Sequence, residues 1–147
     1  FRDLLGDTLH FALSLGNLLE VGSVPVRVQP VNTLRDLLCT QLGMDQPSGW
    51  SYRAAMAHVA QQGCGAVVLL GGTETPATIL EDLGQLLNAE QRPAPPQNYR
   101  LIGTGAQILR HLGLSDLQLM SAPLHFNALS GFNLNITEFL PAPHRDA

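Results

Sequence analysis

Lysine is absent from this 147-residue chain. All eight basic residues are Arg, scattered from Arg2 to Arg145, and twelve acidic residues bring the formal net charge to −4. With no basic stripe to neutralise a phosphate backbone, nucleic acid is excluded as an expected partner. Charge of either sign is sparse at 14%, against 45% hydrophobic residues, which excludes a disordered tail and supplies one packed core at this length. Cysteine is scarce: Cys39 and Cys64 make neither a disulfide framework nor a CxxC knuckle. No apolar run approaches the roughly 18 residues that span a bilayer. The densest, residues 66–70, is five long. No signal peptide is visible, which predicts a reducing, cytoplasmic compartment. An initiator Met is missing before Phe1, and strand-like sequence begins at once, so the expectation is a fragment of a longer protein with a domain upstream.

What is present is strong patterning. Residues 8–15 place Leu9, Phe11, Leu13 and Leu15 on one face and Thr8, His10, Ala12 and Ser14 on the other. That alternation predicts a half-buried antiparallel strand, turning at Gly16-Asn17. Val24, Val26 and Val28 form a second strand, which Pro25 assigns to an edge or a bulge. Asn32 is placed to cap a helix with Leu34, Leu37, Leu38 and Leu42 on one face. Residues 51–62 read as a helix with Ala55, Met56 and Val59 inward and Gly63 at its end. The apolar run at 66–70 reads as a strand buried on both faces of a parallel sheet. Thr75-Pro76 pairs an N-cap with proline at the first helical position, ahead of Ile79, Leu83, Leu86 and Leu87. Residues 88–98, with Pro93, Pro95 and Pro96, read as a stiff exposed connection. A helix over 104–112 closes at Gly113, and strands follow at 117–120 and 134–139. The expected class is α+β or α/β, a mixed sheet with antiparallel N-terminal strands followed by βα units.

Chemistry-bearing patterns are few. Gly71-Gly72-Thr73 lies between a strand and a capped helix, where backbone amides can cradle an anion, although such a turn asks for glycine on structural grounds alone. Gly103-Thr104-Gly105, at the predicted start of a helix, carries the same ambiguity and is not a complete dinucleotide fingerprint. The five histidines, at 10, 58, 111, 125 and 144, never adopt HxH or HExxH spacing. No GxSxG elbow is present. Glu81-Asp82 reads as a pair complementing the dipole of its helix rather than an acid/base couple.

The segment from Ile102 to Gly113, IGTGAQILRHLG, resembles the GxGAQILxxLG stretch of GTP cyclohydrolase II, the family that makes the first committed riboflavin precursor from GTP. Leu119-Met120-Ser121-Ala122-Pro123 resembles its LMTNNP, and Leu129-Ser130-Gly131-Phe132 its LxGFG. Gln62-Gly63-Cys64-Gly65 resembles its EGRG, Arg27-Val28 the start of its RVHSEC, and Phe1-Arg2-Asp3 with His10-Phe11-Ala12-Leu13 its opening strands. The resemblance spans residues 1–141, leaving 142–147 as a C-terminal tail, and implies the cyclohydrolase fold.

It also exposes departures. The family holds zinc with one Cys and a following Cys-x-Cys pair. Those positions match Asn32, Gln46 and Ser48, which supply no thiolate for the Lewis acid that opens the purine ring. The proton-handling Asp of DxRxYG matches Asn98, which exchanges no proton near neutral pH, and its Tyr matches Ile102. Arg100 matches the motif's Arg, for which the family implies attack on the α-phosphate. The phosphate-side Thr matches Ser121 and the Lys beyond it His125, while the RQEGRG loop has become Gly71-Gly72-Thr73-Glu74-Thr75-Pro76, losing both arginines. The resemblance therefore implies a catalytically silent domain without zinc. Its remnant nucleotide or phosphate site is Arg27, Glu74, Arg100, Gly103, Gly105, Ser121 and His125, with Arg100, Ser121 and the 103–105 amides converging. In many bacteria this domain follows 3,4-dihydroxy-2-butanone-4-phosphate synthase, which would carry any magnesium. A structural, regulatory or docking role is expected, with a second copy, an active GTP cyclohydrolase II or another riboflavin enzyme as partner. The alternative is a metal-independent enzyme that binds nucleotide or phosphate through Arg100 and Ser121.

Overall fold

The apolar run that reads as a doubly buried strand is β4 (Gly65–Leu70), near the middle of a six-stranded mixed sheet. The computed structural model describes residues 1–38, 49–88, 99–121 and 130–143. In chain order the other strands are β1 (Arg2–Asp3), β2 (Thr8–Leu15), β3 (Val24–Pro30), β5 (Asp116–Met120) and β6 (Asn135–Leu140). The sheet order is β1-β2-β4-β3-β5-β6. β1, β2 and β4 run antiparallel in succession, pairing Arg2 with Leu9 and Leu13 with Val67. β3 is parallel to both β4 and β5, and β5 is parallel to β6. Antiparallel opening strands followed by βα units are the expected class.

Among the described residues, three α-helices cover the sheet or flank it. Ser51 caps α1 (Tyr52–Gln62) by accepting the Ala54 N–H, and Gly63 closes it in a left-handed turn. Thr75 caps α2 (Pro76–Leu87) in a reciprocal box with Thr78, proline taking the first helical position. α3 spans Tyr99–His111. α1 sets Ala55 and Val59 on Val67 and Met120, with Trp50 completing that layer. α3 packs Ala106, Ile108 and Leu109 on the opposite face, against Val24, Val26, Ala66, Val68, Leu117 and Leu119. Even and odd residues of β4 thus serve different cores, as a pleat requires.

Several expectations are corrected. β3 is a central strand despite Pro25. The Pro25 carbonyl faces Gly65, one step ahead of the β4 register, which begins at Val26 and Ala66, so the missing N–H leaves no gap in the ladder. The helix expected after Asn32 is a single π-type turn, Thr33–Leu37, closed by the Leu38 N–H on the Thr33 carbonyl. Leu34 is buried there, whereas Leu37 and Leu38 are exposed, and Leu42 lies outside the described residues. Met56 points away from the core. Asp82 is not a surface dipole partner: it is the buried side chain of α2. The connection at 89–98 lies outside the described residues.

The largest inversion is in β2. Its bounds are as predicted, but its apolar face is the open one: Leu9, Phe11, Leu13 and Leu15 are 58, 57, 43 and 45% exposed, while His10 is buried. α1 lies over β3 and β4.

Candidate functional site

Parallel sheets bind ligands beyond the carboxyl ends of their strands, where successive crossovers leave for opposite faces. Here that point is the end of β3. The connection from β3 to β4 carries α1 on one face, and the connection from β4 to β5 carries α3 on the other. Three segments meet at this edge: Val31 to Thr33 after β3, Gly71 to Glu74 after β4, and Ser121 after β5.

The first two segments are stitched together. The Val31 N–H donates to the Leu70 carbonyl at 2.9 Å, and the Thr73 hydroxyl donates to the Val31 carbonyl at 3.0 Å. Glu74 receives the Thr33 N–H on both carboxylate oxygens at 2.9 Å and the Thr33 hydroxyl at 2.7 Å. Asn32, at the first zinc-ligand position of the resemblance, accepts the Arg35 N–H at 2.8 Å, and its own N–H donates to Asp36 at 2.9 Å. Arg35 grips Asp36 through Nε and Nη2, both at 2.7 Å, and reaches the Pro30 carbonyl.

Beneath this lies Arg27, buried on β3. Its guanidinium donates to Gln29 Oε1 at 3.1 Å, to the Met120 carbonyl at 2.8 Å and to the Trp50 carbonyl at 3.3 Å. Burial lowers its pKa to about 10; Arg35 adds to that shift and Asp36 opposes it. Gln29 extends the network to Asp36 at 3.4 Å. Among the described residues, Asp36 is the carboxylate that both arginines meet here, paired directly with Arg35 and acting on Arg27 through its charge.

The other expected site residues separate. Arg100, in the first turn of α3, pairs with Asp3 at 3.0 Å, so it is engaged by the β1 edge. The Leu5 N–H and then Arg100 hold the Asp3 carboxyl below its ordinary range, against an opposing effect of burial. Gly103 and Gly105 do not open a helix. α3 begins at Tyr99, so both lie in its interior, where amides are bonded within the helix and unavailable to an anion. Gly105 serves packing: a Cβ there would come 2.7 Å from Val28. The Gly71-Gly72 turn is also a packing device. The Gly71 N–H donates to His10 Nδ1 at 3.2 Å, a Cβ on Gly71 would meet the Leu9 carbonyl oxygen, and one on Gly72 would meet Thr8. Ser121 is buried at the end of β5, its N–H turned back to the Leu119 carbonyl at 2.8 Å. Gln46, Ser48, Asn98 and His125 lie outside the described residues.

Of the three positions that match the family's zinc ligands, only Asn32 lies among the described residues. Asn32 offers a neutral amide oxygen already committed to the turn, and among the described residues no three His, Cys, Asp or Glu side chains gather. Gln29, Thr33, Arg35 and Asp36 are the members that sequence reasoning missed. The signal was Arg27 and Gln29 alternating with valines, which marks a polar face inside a central strand.

A protein-family model described as GTP cyclohydrolase II matches residues 1–141. The chain is 42% identical over 144 residues to a 3,4-dihydroxy-2-butanone 4-phosphate synthase of Pseudomonas aeruginosa, covering 97% of this chain and 38% of that protein. It is 30% identical over 154 residues to the riboflavin biosynthesis protein RibBA of Chlamydia muridarum, covering 97% and 36%. Among solved structures it is similar to RibBX, a two-domain 3,4-dihydroxy-2-butanone 4-phosphate synthase from A. baumannii. That match has a TM-score of 0.51 and 28% identity, covering 93% of this chain and 33% of the other. The chain thus spans about a third of the length of these relatives.

Proposed function

The chain belongs to the GTP cyclohydrolase II family, and on that premise we propose that it is a catalytically silent cyclohydrolase domain of a riboflavin-biosynthesis protein. The 3,4-dihydroxy-2-butanone 4-phosphate synthase activity named in its relatives would reside in a part outside these residues, as would any magnesium. The domain's role is structural, regulatory or docking, in the cytoplasm, beside another riboflavin enzyme.

The observation that carries this reading is the state of the β3–β4 edge. The Asn32 side chain caps a turn, and a carboxylate, Glu74, is bonded into the loop where the family places arginines. Among the described residues of this edge, Arg27 and Arg35 stand with two carboxylates, Asp36 and Glu74, an arrangement that disfavours a triphosphate. Arg100 is held by Asp3, which weighs against the alternative of a metal-independent nucleotide site.

The test is to incubate the chain with GTP and zinc, measuring formate and pyrophosphate release and bound zinc by elemental analysis. No ring opening and no stoichiometric zinc are expected. One zinc per chain, ring opening abolished by a chelator, or tight guanine-selective binding overturns the proposal.

A further inference from the structure

His10 is a buried titratable side chain outside the β3–β4 edge. It is 4% exposed and lies on the same face of β2 as Ala12, which packs on the α3 core. It pairs with Leu70 in the β2–β4 ladder, and the next residue donates to its ring: the Gly71 N–H meets Nδ1 at 3.2 Å. That bond fixes the tautomer. Nδ1 accepts, so the proton of the neutral ring sits on Nε2, which is buried without a hydrogen-bond partner among the described residues. A protonated ring does not fit this setting. Its Nδ1–H would confront the Gly71 N–H, and its second N–H would still lack an acceptor.

The charged groups of the surrounding elements are already engaged. On β1 and the turn after it, the Phe1 amine donates to the His10 carbonyl at 3.0 Å, Arg2 pairs with Asp7, and Asp3 holds the Leu5 N–H and Arg100. β4 contributes none. On α3, Arg110 donates to the Leu114 carbonyl, and the His111 ring meets the Phe1 ring edge-on. In the loop from β4 to α2, Glu74 is bound to Thr33. That loop is fixed at both ends. Gly71 and Gly72 run against Leu9 and Thr8 with no room for a Cβ at either, Gly72 at a φ of +73°. Beyond them the Thr73 hydroxyl and the Glu74 carboxylate reach the Val31 carbonyl and Thr33.

We propose that His10 is a proton-sensitive latch on the loop between β4 and α2. Neutral, it holds Gly71 against β2; protonated, it releases the loop and loosens the Glu74–Thr33 contact at the far end. The sign follows from the closed geometry, which accepts the neutral ring alone. An imidazole in water takes up a proton below about pH 6.5, so the released form binds a proton that the latched form does not. The latch is therefore intact above that pH and weakens below it, by about tenfold per pH unit. A local protonation is thereby read out at the β3–β4 edge, which is held at neutral pH and loosened by acid.

Hydrogen exchange of the 147-residue chain, followed by NMR and corrected for the intrinsic pH dependence of exchange, tests this. It is run at about pH 7.5 and about pH 5, on either side of the imidazole range. The Gly71 amide is expected to lose protection by about tenfold or more at the lower pH, and the Thr33 amide to lose protection with it. The amides of Val67 and Val68, inside β4, keep theirs. Nitrogen shifts of the His10 ring at the higher pH place its proton on Nε2. His10→Asn sets an amide oxygen near the position of Nδ1, accepts the Gly71 N–H and carries no titrating proton, so Gly71 becomes equally protected at both pH values. His111→Asn keeps the wild-type pH dependence, which separates His10 from the histidine of α3. A wild-type Gly71 amide equally protected at both pH values overturns the proposal, and that measurement requires no variant to fold. So does a Thr33 amide indifferent to pH, a loss shared equally by Val67 and Val68, a ring proton found on Nδ1, or a pH dependence that survives His10→Asn.

Discussion

The carboxylate of Glu74 holds both the backbone N–H and the hydroxyl of Thr33, at 2.7–2.9 Å, across the gap between the β3 and β4 loops. A loop that could have gripped a phosphate instead grips its neighbour. Both partners are half-buried, so water competes only partly for these bonds.

Glu74→Ala should therefore destabilise the chain by about 1–3 kcal/mol, the range for losing charged hydrogen bonds while leaving a donor unpaired. Urea denaturation gives the magnitude. Hydrogen exchange should place the effect locally, with the Thr33 amide exchanging faster than those of β4. A variant as stable as wild type, with Thr33 still protected, would show that the loop is held by something else.

Arg27 makes a second test of the same edge. Its fork spans three acceptors on three segments, β3, Trp50 and the end of β5. Lysine keeps the charge but concentrates it at one point on a shorter reach, so Arg27→Lys strands at least one buried carbonyl. A loss of about 1.5–3 kcal/mol is expected in chemical denaturation. Because the Met120 carbonyl is one of the acceptors, the amide resonances around Ser121 should move as well.

The Asp3–Arg100 pair gives a pH prediction. The folded-state pKa of Asp3 is lowered, so its contribution is present above the ordinary pKa of 3.8 and is lost as pH falls through the lower folded value. Carboxyl NMR titration should place its midpoint below 3.8. In Arg100→Ala the midpoint should rise yet stay below 3.8, because the first cause of the shift is the Leu5 N–H, which donates to Asp3 at 2.9 Å and survives the substitution. A midpoint unmoved by the substitution would show that the ion pair is absent in solution.

Legibility followed locality. The Thr75-Pro76 start of α2 and the apolar β4 run were readable because cap chemistry and doubly buried composition are written in adjacent residues. The alternation in β2 correctly announced a strand with two unlike faces. It could not say which face is covered, because that depends on where α1 lands, a relationship between residues some fifty positions apart. The glycines at 103 and 105 misled for a related reason. A glycine at a helix start and one inside a helix that approaches a sheet look alike in sequence; the start of α3 at Tyr99, and for Gly105 the closeness of Val28, distinguish them. At the candidate site, the positions Asn32 and Glu74 were found through resemblance. Their bonds to Arg35 and Thr33 were not, because Thr33, Arg35 and Asp36 read as an ordinary polar turn until β3 and β4 bring them together.

The α3 packing supplies the last test. Ala106, Ile108 and Leu109 are buried, and Leu112 packs at the margin of the same cluster. Leu109 is 2% exposed between the helix and the strands. Truncating it removes the transfer energy of the side chain and leaves a cavity, so Leu109→Ala should cost about 2–5 kcal/mol, a large share of the stability of a domain this size. Leu80→Ala removes the same atoms from a side chain that is 67% exposed and should change stability by no more than about 0.5 kcal/mol. The contrast matters more than either value, because both substitutions alter helix propensity alike and only burial differs. Thermal and urea melts of the two variants side by side measure it. Equal losses would mean that α3 does not seal this face of the sheet.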